Sequence, residues 1–267
     1  QVVVCVDQAT TDDTAKVASQ HGAEVYVDWP VSEPHTCPAH GTVMAQHFAK
    51  ARQLSFLKLK RSIPFHGWLD ADDVLEGGDK LAEALAKLHP DIAGIWLPYI
   101  YSTAGEGGPP STLFDRERIV RSDIPWEWQH RVHEVLAPVG EIIEHLQWTR
   151  TDAIRVIHQG QGHDTAGSAR RNITLLEIDL EENPEDMRAW FYLGNQYFAL
   201  GDYGPAIDCY ERATAAENTH QLSQTFDYLS IAYEKVGDLA AAKAAAYHSI
   251  DVLPDHADPY YHLASIA

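Results

Sequence analysis

Apolar residues in the first 160 positions fall in short runs separated by polar, helix-like stretches, and this alternation predicts a β-α-β rhythm. Val2-Val3-Val4-Cys5-Val6 reads as an interior strand, with a helix near Asp13–His21, a strand over Glu24–Val27 and a helix around Thr42–Leu54. Further strands are expected at Phe65–Leu69, Gly94–Tyr101 and Ile154–His158, with a helix from Lys80 to Leu88. The expected class for this part is α/β. A Gly/Pro-rich stretch, Gly105–Pro110, reads as an ordinary hairpin connection or a mobile lid. A chain that begins directly on an interior-type strand leads us to expect that its amino-terminal end is missing.

After Gln159-Gly160-Gln161-Gly162 the strand patterns stop, and the chain from Ser168 onward reads as amphipathic helix. The expected division is an α/β domain over 1–165 and a helical domain over 166–267. Within the helical part Trp190, Leu193, Gly194, Tyr197, Ala206, Tyr210 and Ala213 recur as Phe226, Leu229, Ser230, Tyr233 and Ala242, and the pattern starts again at Tyr260 and Leu263. From Trp190 to Phe226 is 36 residues and from Phe226 to Tyr260 is 34. Those residue types at that period are the signature of tetratricopeptide repeats, in which small residues let paired helices approach and large ones fill the gaps between neighbours. Pro184 and Pro254 each precede an aromatic first position by six residues, so Arg170–Glu182 reads as the second helix of a degenerate leading repeat.

Charge narrows the partners. With 39 acidic and 20 basic side chains the formal net charge is −19, which opposes binding to nucleic acid or anionic membranes. No apolar run reaches the roughly 18 to 20 residues of a transmembrane segment. The three cysteines, Cys5, Cys37 and Cys209, are widely spaced and form no CxxC pattern, which suits a reducing compartment; the expected location is cytoplasmic.

The densest candidate chemistry lies in Gly67-Trp68-Leu69-Asp70-Ala71-Asp72-Asp73-Val74-Leu75. An apolar run delivers three carboxylates to its carboxyl end, and Asp70 and Asp72 would face the same side if the strand continued, offering two hard oxygen ligands to Mg²⁺ or Mn²⁺. The competing reading is a polar turn that leads into the next helix. Downstream, His133-Glu134 offers a base or a structural pair, and His158 ends an apolar run before the loop that contains His163. Trp126 and Trp128 suit stacking on a ligand or core burial, and Arg116, Arg118 and Arg121 suit phosphate contacts or pairing with nearby acids.

Taken together, Val6-Asp7-Gln8-Ala9-Thr10-Thr11-Asp12-Asp13-Thr14, the Asp70-Ala71-Asp72-Asp73 cluster and Val132-His133-Glu134-Val135-Leu136, followed by the repeats, resemble family 2 glycosyltransferases of the GT-A fold that carry tetratricopeptide repeats. The resemblance implies a Rossmann-like nucleotide-sugar domain and an inverting, metal-dependent transfer from a nucleotide-diphosphate sugar to an acceptor. It places Asp7 near the donor base or ribose. Asp70 and Asp72 would hold the diphosphate through Mn²⁺ or Mg²⁺, and His158 or His163 would complete the metal site. Glu134 is the first candidate for the base and His133 the second. The acceptor would be a protein or peptide in the repeat groove.

Two departures stand out. The family's opening strand and helix, with its "VKNE"-like donor segment, have no counterpart. Where an Arg-Asn pair would precede the metal motif the chain reads Ala45-Gln46-His47-Phe48, with Arg52 as a substitute. The alternative function is a non-catalytic, repeat-based protein-binding scaffold with a vestigial transferase domain. A nucleotidyltransferase is a third reading, but it lacks the expected Gly-rich basic loop.

Overall fold

The computed structural model describes residues 2–7, 12–29, 32–37, 41–103, 108–140, 146–159 and 165–266. They divide into two compact units, each built from separated stretches of chain. One comprises Gln1–Val31, Phe48–Gln129 and Glu134–His163; the other comprises Ser32–His47, His130–His133 and Asp164–Ala267.

In the strand-rich unit β1 (Val3–Asp7) leads through α1 (Thr14–Gln20) to β2 (Glu24–Trp29), and the two strands pair in parallel as the β-α-β pattern predicts. The main sheet has six strands: β5 (Phe65–Gly67), β6 (Asp73–Glu76), β7 (Ile92–Thr103), β8 (Pro110–Arg121), β11 (Gln147–Arg150) and β12 (Arg155–His158). Its order is β5-β8-β7-β12-β6, with β11 also on β7. Only β7·β11 and β7·β12 are parallel. The two 12-residue strands β7 and β8 form a long antiparallel ladder, so the sheet is mixed. A small antiparallel pair, β9 (Trp126–Gln129) and β10 (Val135–Pro138), completes the unit.

Both faces of the sheet are covered. On one, Ile95, Leu97, Tyr99, Ile119, Ile154 and Val156 meet Leu75 and the residues Leu81, Ala84 and Leu85 of α3 (Leu81–Ala86). On the other, Val120 packs with Trp128, Leu136 and Ala49 of α2 (Phe48–Phe56), joined by Phe56, Trp68, Trp126 and Trp148. Trp128 is therefore a core residue. Gly94 is required in β7, since a Cβ there would lie 2.4 Å from the Trp148 ring and 2.6 Å from the Ile119 carbonyl.

The expected helix over Thr42–Leu54 is corrected. Gly41–Gln46 is strand β4, paired antiparallel with β3 (Ser32–Cys37), and the helix begins only at Phe48. A glycine at φ +63° followed by the β-branched pair Thr42-Val43 favours extended backbone once a partner strand is present.

The helical unit holds this hairpin and six helices: α4 (Thr165–Glu182), α5 (Met187–Leu200), α6 (Tyr203–Ala213), α7 (Thr219–Val236), α8 (Leu239–Val252) and α9 (Asp258–Ser265). The caps are legible as residue types. Asp186, Asn218 and Asp238 accept the amide protons of Ala189, Gln221 and Ala241 at 2.9 to 3.0 Å, and α5 and α7 end on left-handed glycines, Gly201 and Gly237. Gly194 lets α5 approach α6, because a Cβ would lie 2.5 Å from the fully buried Tyr210 ring. At the equivalent position in α7, Ser230 donates to the Ala242 carbonyl at 2.7 Å. No described helix is long and apolar enough to cross a membrane, and Cys5 and Cys209 are free thiols.

Candidate functional site

The acidic segment is a turn. β5 stops at Gly67, and the Asp73 N–H donates to the Asp70 carbonyl at 3.0 Å while the Asp70 N–H donates to Asp73 Oδ2 at 3.1 Å. These reciprocal bonds end the strand, so Asp70 and Asp72 do not share one strand face. Each aspartate enters a different environment.

Asp73 opens β6, and its side chain is fully buried. Arg118 Nη2, on β8, pairs with its Oδ2 at 3.1 Å, and the Tyr99 hydroxyl, on β7, donates to Oδ1 at 3.0 Å. Burial pushes the Tyr99 phenol up, and the Asp73 charge beside it adds to the effect. Burial likewise lowers the Arg118 pKa, against the pull of Asp73 and Asp70.

The antiparallel register of β6 with β12 sets His158 opposite Asp73, and the Gln159 N–H reinforces it by donating to the Asp72 carbonyl at 2.7 Å. His158 Nδ1 lies 3.4 Å from Asp73 Oδ1 and 3.6 Å from Asp72 Oδ1, with its ring stacked on Tyr101 at 5.0 Å. One donor atom each from Asp72, Asp73 and His158 thus falls within 4.8 Å of the others. Two carboxylates and an imidazole suit Mn²⁺ or another divalent cation, and the set fits best through Asp72, which stays partly exposed, and His158. Asp73 is the member that the strand-face argument overlooked; its signal is the cross-strand register, which local sequence does not carry.

Asp70 faces the other way, toward Arg52 of α2. Arg52 donates from Nη2 to Asp70 Oδ1 at 2.6 Å and from Nε to Glu134 Oε1 at 2.9 Å, while its guanidinium lies 4.2 Å from the Trp68 ring centre. Burial works against that cation, but Glu134 and Asp70 outweigh it and hold its pKa above the ordinary arginine value. Arg118 stacks on the same indole at 3.7 Å, and the Trp68 N–H donates to the Glu117 carbonyl at 2.9 Å. A cavity of about 690 Å³ opens beside this cluster, lined by Arg52, Trp68, Asp70 and Arg118 and, opposite, by Val2–Cys5 of the β1 region.

The remaining candidates are dispersed. His133 belongs to the helical unit, at φ +55°, with its ring stacked 4.1 Å from Tyr192 and its carbonyl accepting from Arg188 at 3.1 Å. Those contacts give it a structural role in that unit. Asp7 closes β1, but its side chain lies outside the described ones, as do His163 and residues 8–11 of the first motif. Arg121 pairs with Asp123, away from the acidic turn, whereas Arg116 lies 5.4 Å from the Trp68 ring.

Among known families, the tetratricopeptide repeat model matches residues 188–216, which span most of α5, all of α6 and the turn between them. A comparison with curated proteins finds no match. Solved structures that are similar include MamA, at 21% identity over 38% of this chain and 57% of that one, with a TM-score of 0.35. The first TPR of Spaghetti (RPAP3) bound to the HSP90 peptide SRMEEVD matches at 16% identity over 38% of this chain and 78% of that one, TM-score 0.35. The Yersinia enterocolitica type III secretion chaperone SycD, in complex with a peptide of the translocator YopD, matches at 16% over 38% and 81%, TM-score 0.35. The chain spans little more than half the length of the MamA chain it matches.

Proposed function

We propose that this chain binds a polypeptide through its tetratricopeptide repeats and that its strand-rich unit transfers a sugar from a nucleotide-diphosphate donor to what the repeats hold. The binding half is the better supported. Residues 188–216 match the repeat family, the small-residue period continues through α7 and α8, and stacked repeats of this kind present extended surfaces to peptides.

The transfer half is carried by one observation, the β6·β12 register that gathers Asp72, Asp73 and His158 within 4.8 Å. A divalent cation held there would offset the charge that develops on a departing diphosphate. The cavity of about 690 Å³ on the Asp70 side of the turn, with Arg52 and Arg118 in its wall, is of the size of small-ligand sites. Glu134, fixed by Arg52, is the proposed general base, and Asp70 acts as a positioning residue through the same arginine. The order of the three motifs, which resembles that of GT-A family 2 enzymes, is consistent with this reading.

A second reading, a repeat-based scaffold whose strand-rich unit has no catalysis, is favoured by the engagement of the acids themselves. Asp73 is taken by Arg118 and Tyr99, and Glu134 Oε1 by Arg52. Calorimetric titration of nucleoside diphosphates and nucleotide sugars, with Mn²⁺ and then with chelator, separates the two. Cation-dependent binding that Asp72→Ala abolishes is the expected result. Absence of nucleotide binding by a folded chain that still binds peptide establishes the scaffold reading instead.

A further inference from the structure

A second group of potential ligands lies in the helical unit, apart from everything used above: Asp227 of α7, His256 in the turn before α9, and Asp258 at the start of α9. One donor atom from each falls within 4.8 Å of the others. Asp227 is only 6% exposed, and its Oδ1 has no hydrogen-bond partner among the described residues. Burial raises its pKa, the neighbouring Asp258 charge adds to this, and His256 and His262 oppose it. A buried carboxylate oxygen without a donor is costly unless something cationic reaches it.

His256 is prepared to meet it. Ser249 Oγ donates to the Ser223 carbonyl at 2.8 Å, and Ser223 Oγ lies 2.9 Å from both Ser249 Oγ and His256 Nδ1. The Ser223 contact holds the ring from behind at Nδ1 and leaves Nε2 turned toward Asp258, the orientation in which a histidine binds a metal while its other nitrogen is held. His256 Nε2 and Asp258 Oδ2 are 3.3 Å apart. Two donors on one tetrahedral Zn²⁺ are separated by roughly the same distance. His262, the other imidazole nearby, is excluded as a ligand because both its nitrogens are taken, by Ser230 and by Glu234 at 2.8 Å each.

We infer that Asp227, His256 and Asp258 form a binding site for a divalent transition-metal cation of the Zn²⁺ class. The site ties the α8–α9 turn and the start of α9 to α7, and a cation there supplies the charge that Asp227 lacks. One histidine and two carboxylates leave a fourth position for water.

The test is titration of the full chain with Zn²⁺, and with Co²⁺ as a chromophoric substitute, for the parent and for Asp227→Asn, His256→Gln, Asp258→Asn and, as a control at the other cluster, Asp72→Ala. The expected result is one equivalent bound at this cluster, with visible Co²⁺ bands, in addition to any held by Asp72 and His158. Affinity should fall about tenfold or more in each of the first three variants and stay unchanged in Asp72→Ala. Asp258 is exposed, so Asp258→Asn keeps the test decisive if Asp227→Asn does not fold. No Zn²⁺ binding by the parent, binding that survives both aspartate substitutions, or binding lost only with Asp72→Ala would each overturn the inference.

Discussion

The acidic turn and the core of the repeats bury different things. In the strand-rich unit the interior beside the acidic turn holds ions: Arg118 and Asp73 face each other almost without solvent, and Arg52 sits between Asp70, Glu134 and the Trp68 ring. In the repeats, Gly194 meets Tyr210, and Ala206, Ala213, Ala232 and Ala245 are buried beside Phe191 and Leu229. Packed apolar surface would serve stability at least as well as a buried ion pair. Stability alone therefore does not account for the charge buried beside the acidic turn, whereas the contacts among Gly194, Phe191 and Tyr210 are explained by shape complementarity.

That contrast can be broken at its strongest point. Arg118→Met leaves Asp73 buried without its cation and should cost about 3 to 5 kcal/mol in denaturant unfolding, with much of the loss recovered when Asp73→Leu is added. A loss below ~1 kcal/mol would show that water already reaches the pair. On the other side, Gly194→Ala drives a methyl into the Tyr210 ring. Overpacking of about 1 to 3 kcal/mol opposes the up to ~1 kcal/mol of helix propensity gained, for a net loss of up to roughly 2 kcal/mol in thermal unfolding.

Acid sharpens the comparison within the repeats. At Asp186, burial opposes the charge, but the His130 imidazole and the first amides of α5 outweigh it, holding the carboxyl below its usual value. Its contribution is therefore present above the unfolded-state pKa and lost as pH falls through the folded one, and Asp186→Asn should flatten the acid limb of the stability profile. Asp227 has the opposite sign. Its raised pKa makes stability present below the unfolded pKa and lost as pH rises through the folded value. In chelator, Asp227→Asn should match or exceed the parent at neutral pH, and the gap should close on acidification; a parent more stable than the variant at neutral pH would contradict this. The smallest effect belongs to the surface. Lys87→Ala, which removes the exposed pair with Glu83, should change stability by no more than about 0.5 kcal/mol.

Sequence made the repeats legible because contacts that matter recur: the glycine or serine that admits the neighbouring helix, the aromatic first position and the closing glycine come round again after 36 residues. The parallel β1·β2 pair, the strands β7 and β12 and the closeness of His158 to the acidic turn were legible as well. The hairpin β3–β4 was not, since Thr42–Gln46 carries no period of its own and becomes strand only through its partner. The site was read one residue out of place. A continuing strand would align Asp70 with Asp72, but a turn closed by Asp73 sends Asp70 to Arg52 and leaves Asp72 and Asp73 with His158. What decided this is pairing between residues more than 80 positions apart, which no local window contains.

Gly201 and Gly237 carry a consequence for the growth of the molecule. Both adopt the left-handed conformation, at φ +82° and +86°, and each donates its amide proton back to the last turn of its helix, to Phe198 and Glu234. They therefore mark equivalent points 36 residues apart, each followed by an aspartate and a new helix. A duplication cut between these two glycines would join like to like at both seams, inserting a whole helical pair whose flanks already match its neighbours. The array is in this sense copyable at its seams, although the new contact would set Ser230 against Tyr210, where α5 presents Gly194.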